Sequence, residues 1–111
     1  MSLSEILSRL LLLTADQIDY GSLPIEVLGE LSLAGDPYIA SCALTELQKR
    51  DSAKLISVAE DLVSDVTQDD DLRASAFAIL LEYRNMDHVQ LRMLLKSAGP
   101  QLSERIEAEL D

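Results

Sequence analysis

Residues 55–81 read LISVAEDLVSDVTQDDDLRASAFAILL, and this stretch decides the fold class. Its first half places Leu55, Ile56, Ala59, Leu62, Val63 and Val66 at a period near 3.6 residues, the spacing of one apolar helix face. Its second half, Ala74 to Leu81, is almost wholly apolar, which predicts a central helix packed on several neighbours. Between them stand Asp69, Asp70 and Asp71. Aspartates at such a junction cap a helix start and favour its positive dipole end.

The same punctuation extends both ways. Upstream, Asp51 or Ser52 opens the first of these two helices, and Asp36-Pro37 opens a helix running to about Arg50. A cap residue followed by proline suits a first helical turn, because proline lacks an amide that has no intrahelical partner there. A shorter helix is predicted from Pro24 to Leu33, with Ile25, Leu28 and Leu31 inward and Gly35 in the left-handed position beyond its end. Thr14 to Ser22 is a connection. Ser2 and Glu5 have capping-box spacing before an apolar stripe of Leu3, Ile6, Leu7, Leu10 and Leu11. Leu12 and Leu13 widen that stripe, so this helix is expected to be buried on two sides.

Downstream, Asn85 or Asp87 caps a helix with Leu91, Leu94, Leu95 and Ala98 on one face, and Gly99-Pro100 stops it. Leu102, Ile106 and Leu110 predict a last amphipathic helix. No alternating β-branched run or hairpin dipeptide competes. The expectation is an all-α chain of six or seven short helices, successive ones packing antiparallel, in a single domain over residues 1–111. Leu47, Leu62, Phe77, Leu80, Leu81 and Leu94 are the expected core.

The chain also matches itself. Shifted by 34 residues, Asp36, Ala40, Ser41, Leu47 and Arg50 fall on Asp70, Ala74, Ser75, Leu81 and Arg84; shifted by 33, Asp36, Ala43 and Leu47 fall on Asp69, Ala76 and Leu80. Periods of this length belong to helix-pair solenoids. Asp36-Pro37-Tyr38-Ile39, with Ala43 and Leu47, resembles the helix opening of HEAT-like repeats, as does Asp69-Asp70-Asp71-Leu72-Arg73, with Ala76 and Leu80. The resemblance covers roughly residues 36–98 and implies a curved α-α superhelix with a protein-binding face. It also implies an Asp and an Arg stabilising the turn between helices. Arg73 fits that role, whereas its counterpart in the other repeat is Ala40.

Charge narrows the partner. Twenty Asp and Glu against nine Lys and Arg give a net charge of −11. Phosphate backbones and anionic lipid surfaces would be repelled, so neither nucleic acid nor membrane is expected as a direct partner. Two readings of the acidity stay open: it keeps a small protein soluble, or it complements a basic protein surface and speeds encounter with it. The second has a local focus. From Leu55 to Leu72 there is no Lys or Arg, while Glu60, Asp61, Asp65, Asp69, Asp70 and Asp71 all fall there. These six are the candidate binding residues. The ordinary alternative is a solvated face whose repulsion salt screens within about 8–10 Å.

Catalytic patterns are missing. His88 is the one histidine, so no paired-histidine metal site and no Cys/His cluster can form. Cys42, the one cysteine, lies in an apolar run and is expected to be a buried, inert thiol, which fits a reducing cytoplasm. No Gly-x-Ser-x-Gly elbow or phosphate-binding glycine loop occurs. An EF-hand read from Asp65 fails, because its sixth position is Asp70 and its twelfth Ala76. No enzyme activity, metal or cofactor is expected. The sequence points instead to a protein-binding module for a basic partner, such as a neutralising immunity protein of a toxin or nuclease. A structural or adaptor module that assembles through apolar helix faces, self-association included, is the alternative.

Overall fold

The computed structural model describes residues 2–111. Among them are seven α-helices and no strand: α1 (Leu3–Leu10), α2 (Ile25–Ser32), α3 (Pro37–Arg50), α4 (Ser52–Ser64), α5 (Asp70–Tyr83), α6 (His88–Leu95) and α7 (Pro100–Leu110). Two short 3-10 turns, Ala15–Gln17 and Tyr20–Ser22, occupy the connection before α2. No described helix is long and apolar enough to cross a membrane.

Most helix starts follow the expected cap chemistry. Ser2 accepts from the Glu5 amide, Asp36 from the amides of Tyr38 and Ile39, and Asp51 from Lys54. Asp69 accepts from Leu72, and Asp87 from Gln90 in a full capping box. Each supplies an acceptor to an amide that the helix itself leaves unpaired. Gly35 takes φ +102, the left-handed conformation expected after α2.

The chain forms two compact units, residues 1–58 and 59–111, with α4 running across the boundary. In the first, α2 packs on α3 and α1 packs on α2. Val27, Leu28, Leu31, Ile39, Ala40, Ala43, Leu44 and Leu47 are buried there. Gly29, also buried, lets the Lys54 stem lie against α2: a Cβ at residue 29 would come within 2.7 Å of Lys54 Cε. In the second, α5 and α6 both pack on α7, and Phe77, Leu80, Leu91, Leu102 and Ile106 are buried.

Four expected core residues, Leu47, Leu62, Phe77 and Leu80, are fully or almost fully buried, whereas Leu81 and Leu94 are half-buried. Cys42 is likewise half-buried and not enclosed. The expectation for α1 fails: none of its residues is buried, and Leu12 beyond its end is 86% exposed. The helix uses one face against α2 and no second one, because the backbone leaves the helix at Leu11 and turns Leu11, Leu12 and Leu13 out.

Val66 is a second correction. It continues the apolar period of α4 in sequence but is 63% exposed. The helix has already ended at Ser64. The Asp65 carboxylate accepts the Thr67 amide at 2.9 Å and the Thr67 hydroxyl at 2.6 Å. That Asx-type turn diverts the amide that would have bonded Val63 O in a continuing helix, so the 3.6-residue register no longer applies at Val66.

Candidate functional site

The acidic segment begins on α4, crosses the turn at Asp65 and ends on the first turn of α5. The six carboxylates have different fates. Glu60 is in an ion pair with Arg84 at 2.6 Å. Asp65 is folded into its own turn; hydrogen bonds from the Thr67 hydroxyl and then the Thr67 amide hold its carboxyl below the usual 3.8, and the Arg73 charge adds to this. Asp69 caps α5. Asp61 and Asp71 are exposed and have no hydrogen bond or ion pair among the described residues.

Asp70 has a role that local sequence does not show. Its carboxylate accepts from the amides of Gly99 at 2.9 Å, Gln101 at 2.6 Å and Leu102 at 3.4 Å. These are the orphan amides at the start of α7, whose own N-cap, Gly99, has no side chain to offer. The fit needs glycine: a Cβ at residue 99 would lie 2.6–2.9 Å from the Asp70 carboxylate atoms.

One turn further along α5, Arg73 is only 2% exposed. Its Nε and Nη2 donate to Val63 O at 3.2 and 2.8 Å, and Nη1 donates to Ser97 O at 2.8 Å. Nη2 also donates to Ser97 Oγ at 3.2 Å. Both carbonyls lack the usual helical donor four residues on. The Thr67 amide goes to Asp65, and the Gln101 amide goes to Asp70. Arg73 therefore satisfies the carbonyl ends of α4 and α6 while Asp70 satisfies the amide end of α7. Two side chains, three residues apart on one helix face, close three loose ends within residues 59–111.

The base-free run in sequence is thus not base-free in space, since Arg84 and Arg73 are brought to it from outside. What remains unbalanced is the surface. Residues 59–111 hold twelve carboxylates against five bases, and one of those bases, Arg73, is buried among carbonyls. Within the acidic segment the free carboxylates are Asp61, near the end of α4, and Asp71, at the start of α5; Glu104, Glu107, Glu109 and Asp111, on and beyond α7, are exposed as well.

His88 is exposed at the first residue of α6. Cys42 lies beside Tyr20, whose hydroxyl donates to Ala15 O at 3.0 Å. Burial, and then the Cys42 thiol next to it, push the Tyr20 phenol up to about 12. Among the described residues no three His, Cys, Asp or Glu side chains are gathered to hold a metal ion. The arrangement offers charge, exposed apolar side chains and rigid helix ends, which are the means of a binding surface.

No known protein family, curated protein or solved structure matches the chain.

Proposed function

We propose that this chain is a non-enzymatic protein-binding module whose acidic face, around Asp61 and Asp71, engages a basic surface on another protein. A single observation carries the reading: these two carboxylates are exposed and uncommitted, at helix ends held rigid by Arg73, in a half-chain with twelve acids and five bases. Such a surface accelerates encounter with a cationic partner and needs little ordering on binding. The concrete form we favour is a neutralising, immunity-type inhibitor, covering a cationic surface that a toxin or nuclease uses for its own anionic target.

A HEAT-like stacking of helix pairs belongs to the same proposal. Its support is Arg73, which stands in the second repeat where that family places an Arg and which ties helix ends together. The first repeat has Ala40 there, buried without a polar role.

The test is capture of the partner on immobilised chain at low salt, followed by binding kinetics at two ionic strengths. An Asp61→Asn/Asp71→Asn variant should associate more slowly and with a flatter salt dependence, while its stability barely moves. An unchanged association rate at both ionic strengths would assign these acids to solubility alone. The adaptor reading has its own observation in favour: Leu3, Leu11, Leu12 and Leu13 are all exposed at the N-terminal helix. Salt-indifferent capture, lost in a Leu12→Gln variant, would select it.

A further inference from the structure

The one part of this acidic chain that lacks acids altogether is α6 with the turn after it. Residues 88–103 contain no Asp or Glu, the longest such run in the sequence, and include Arg92 and Lys96. Leu91 is buried, and Leu94 and Leu95 are half-buried. The opposite face is made by Val89, Arg92, Met93 and Lys96, at spacing i, i+3, i+4, i+7, which is one continuous helical stripe. All four are exposed, Val89 by 68% and Met93 by 64%. Neither Arg92 nor Lys96 has a side-chain hydrogen bond or ion pair among the described residues.

The chain carries a surface of the opposite kind. Val66 is exposed in the turn from α4 to α5, one turn of helix and a short bend beyond Asp61 and shortly before Asp71. The bonds of Arg73 to Val63 O keep those two helix ends together. An exposed apolar side chain with a free anion five residues to either side of it in the chain thus matches exposed apolar side chains interleaved with free cations on α6. Both belong to residues 59–111.

We propose that the α6 stripe docks on a second copy of this chain, with Val89 and Met93 against Val66 and with Arg92 and Lys96 paired to Asp61 and Asp71. This rests on the reading of the acidic face as a site for a basic surface, and names a second copy as an occupant of it. The contact is small and falls in the weak, transient class, under about 1,200 Å² in total. Two copies of charge −11 repel at long range, whereas the contact pairs lie well inside a Debye length of about 8–10 Å. Association is therefore strongest near about 0.15 M salt, weaker in very dilute buffer, and lost near about 1 M, where the Debye length is about 3 Å.

Sedimentation equilibrium tests this on the full chain, with far-UV circular dichroism confirming the helices of each variant. The native protein should rise from 12.2 kDa toward at least twice that mass with concentration. Arg92→Glu/Lys96→Glu and Asp61→Lys/Asp71→Lys should each stay at the monomer mass. Mixing the two reversed variants should restore association, because each then offers what the other lacks. A native chain that stays monomeric to about 1 mM, the affinity range of the weakest specific contacts, overturns the proposal. So does association that persists in both variants, or a mixture that stays monomeric when the native chain does not. A cationic probe, an oligolysine peptide, separates this from the broader reading. If the native chain is monomeric but binds the peptide in a manner lost with Asp61→Lys/Asp71→Lys, the self-docking fails and the acidic site stands. If peptide binding ignores those substitutions, the acidic site fails as well.

Discussion

Replacing Arg73 by Met should be the most damaging single polar substitution in residues 59–111. Methionine has a similar length and no donors. The change leaves Val63 O and Ser97 O, now partnered at 2.8 Å each, without the guanidinium. An unsatisfied buried acceptor costs roughly 1–3 kcal/mol, and a hydrogen bond from a charged donor is worth about 1.5–3 kcal/mol. Two such carbonyls set a loss of about 3–5 kcal/mol, reduced by the desolvation that a neutral side chain no longer requires. The expected net is about 2–4 kcal/mol, a large share of the roughly 5–15 kcal/mol available to a domain. Arg73→Lys should recover part of it, since one ammonium can serve one carbonyl well but lacks the planar fork that serves both. Urea denaturation followed by circular dichroism reads the effect as a fall in midpoint at constant slope. A loss below about 1 kcal/mol for Arg73→Met would refute the claim that this side chain holds the ends of α4 and α6.

Gly99→Ala should cost stability through the Asp70 carboxylate, which its Cβ would approach to 2.6–2.9 Å. Asp70→Ala should cost about 1–2 kcal/mol as a lost cap, and a double-mutant cycle of the two should show strong non-additivity; additive losses would separate them. Phe77→Ala removes a fully buried ring and should cost about 3–5 kcal/mol by chemical denaturation. Burial, and then the neighbouring Cys42 thiol, push the Tyr20 phenol up to about 12, above its ordinary value of about 10. The folded state therefore favours the neutral phenol. That contribution is complete below pH about 10 and is lost as pH rises through about 12. Ultraviolet difference titration of native chain against Tyr20→Phe should show the Tyr20 phenol ionising late, and an ordinary titration would contradict the effect of burial and of the Cys42 thiol on it.

Much of this architecture is legible in the sequence because its causes are local. Asp36-Pro37, Asp69 and Asp87 each cap the helix that follows them directly, so residue type and spacing suffice. Leu47, Leu62, Phe77 and Leu80 repeat with the helix and are buried. Periodicity misleads where a local bond ends the helix early, as the Asp65–Thr67 turn does before Val66. It also misleads at Leu11 to Leu13, where hydrophobicity promises burial but the chain has already left its helix. The least legible residue is Asp70. In sequence it is one of three like aspartates, and its partners lie 29 to 32 residues on. The available clue is on the other side: Gly99-Pro100 opens a helix with no cap of its own. Likewise Glu60 looks unbalanced until Arg84, 24 residues on, reaches it.

That difference matters for function, because formal charge counts a carboxylate whether or not it is already committed. Asp36, Asp51, Asp69 and Asp87 accept amides at the positive ends of their own helices, and Asp70 does so for another. Their charge is partly met by backbone dipoles before any partner arrives. Releasing them to bind a cation would reopen helix ends. Asp61 and Asp71 accept no amide and no ion-pair partner among the described residues; Asp71 still gains from the positive end of α5, but neither has a hydrogen bond to surrender when a partner takes its charge. Interspersing acids of both kinds within one segment gives rigidity and attraction together: the capping residues fix the two helix ends, and the free ones present charge from a scaffold that need not be ordered on contact. A binding face built this way reads as uniform acid in the sequence and becomes two functions only when the hydrogen bonds are assigned.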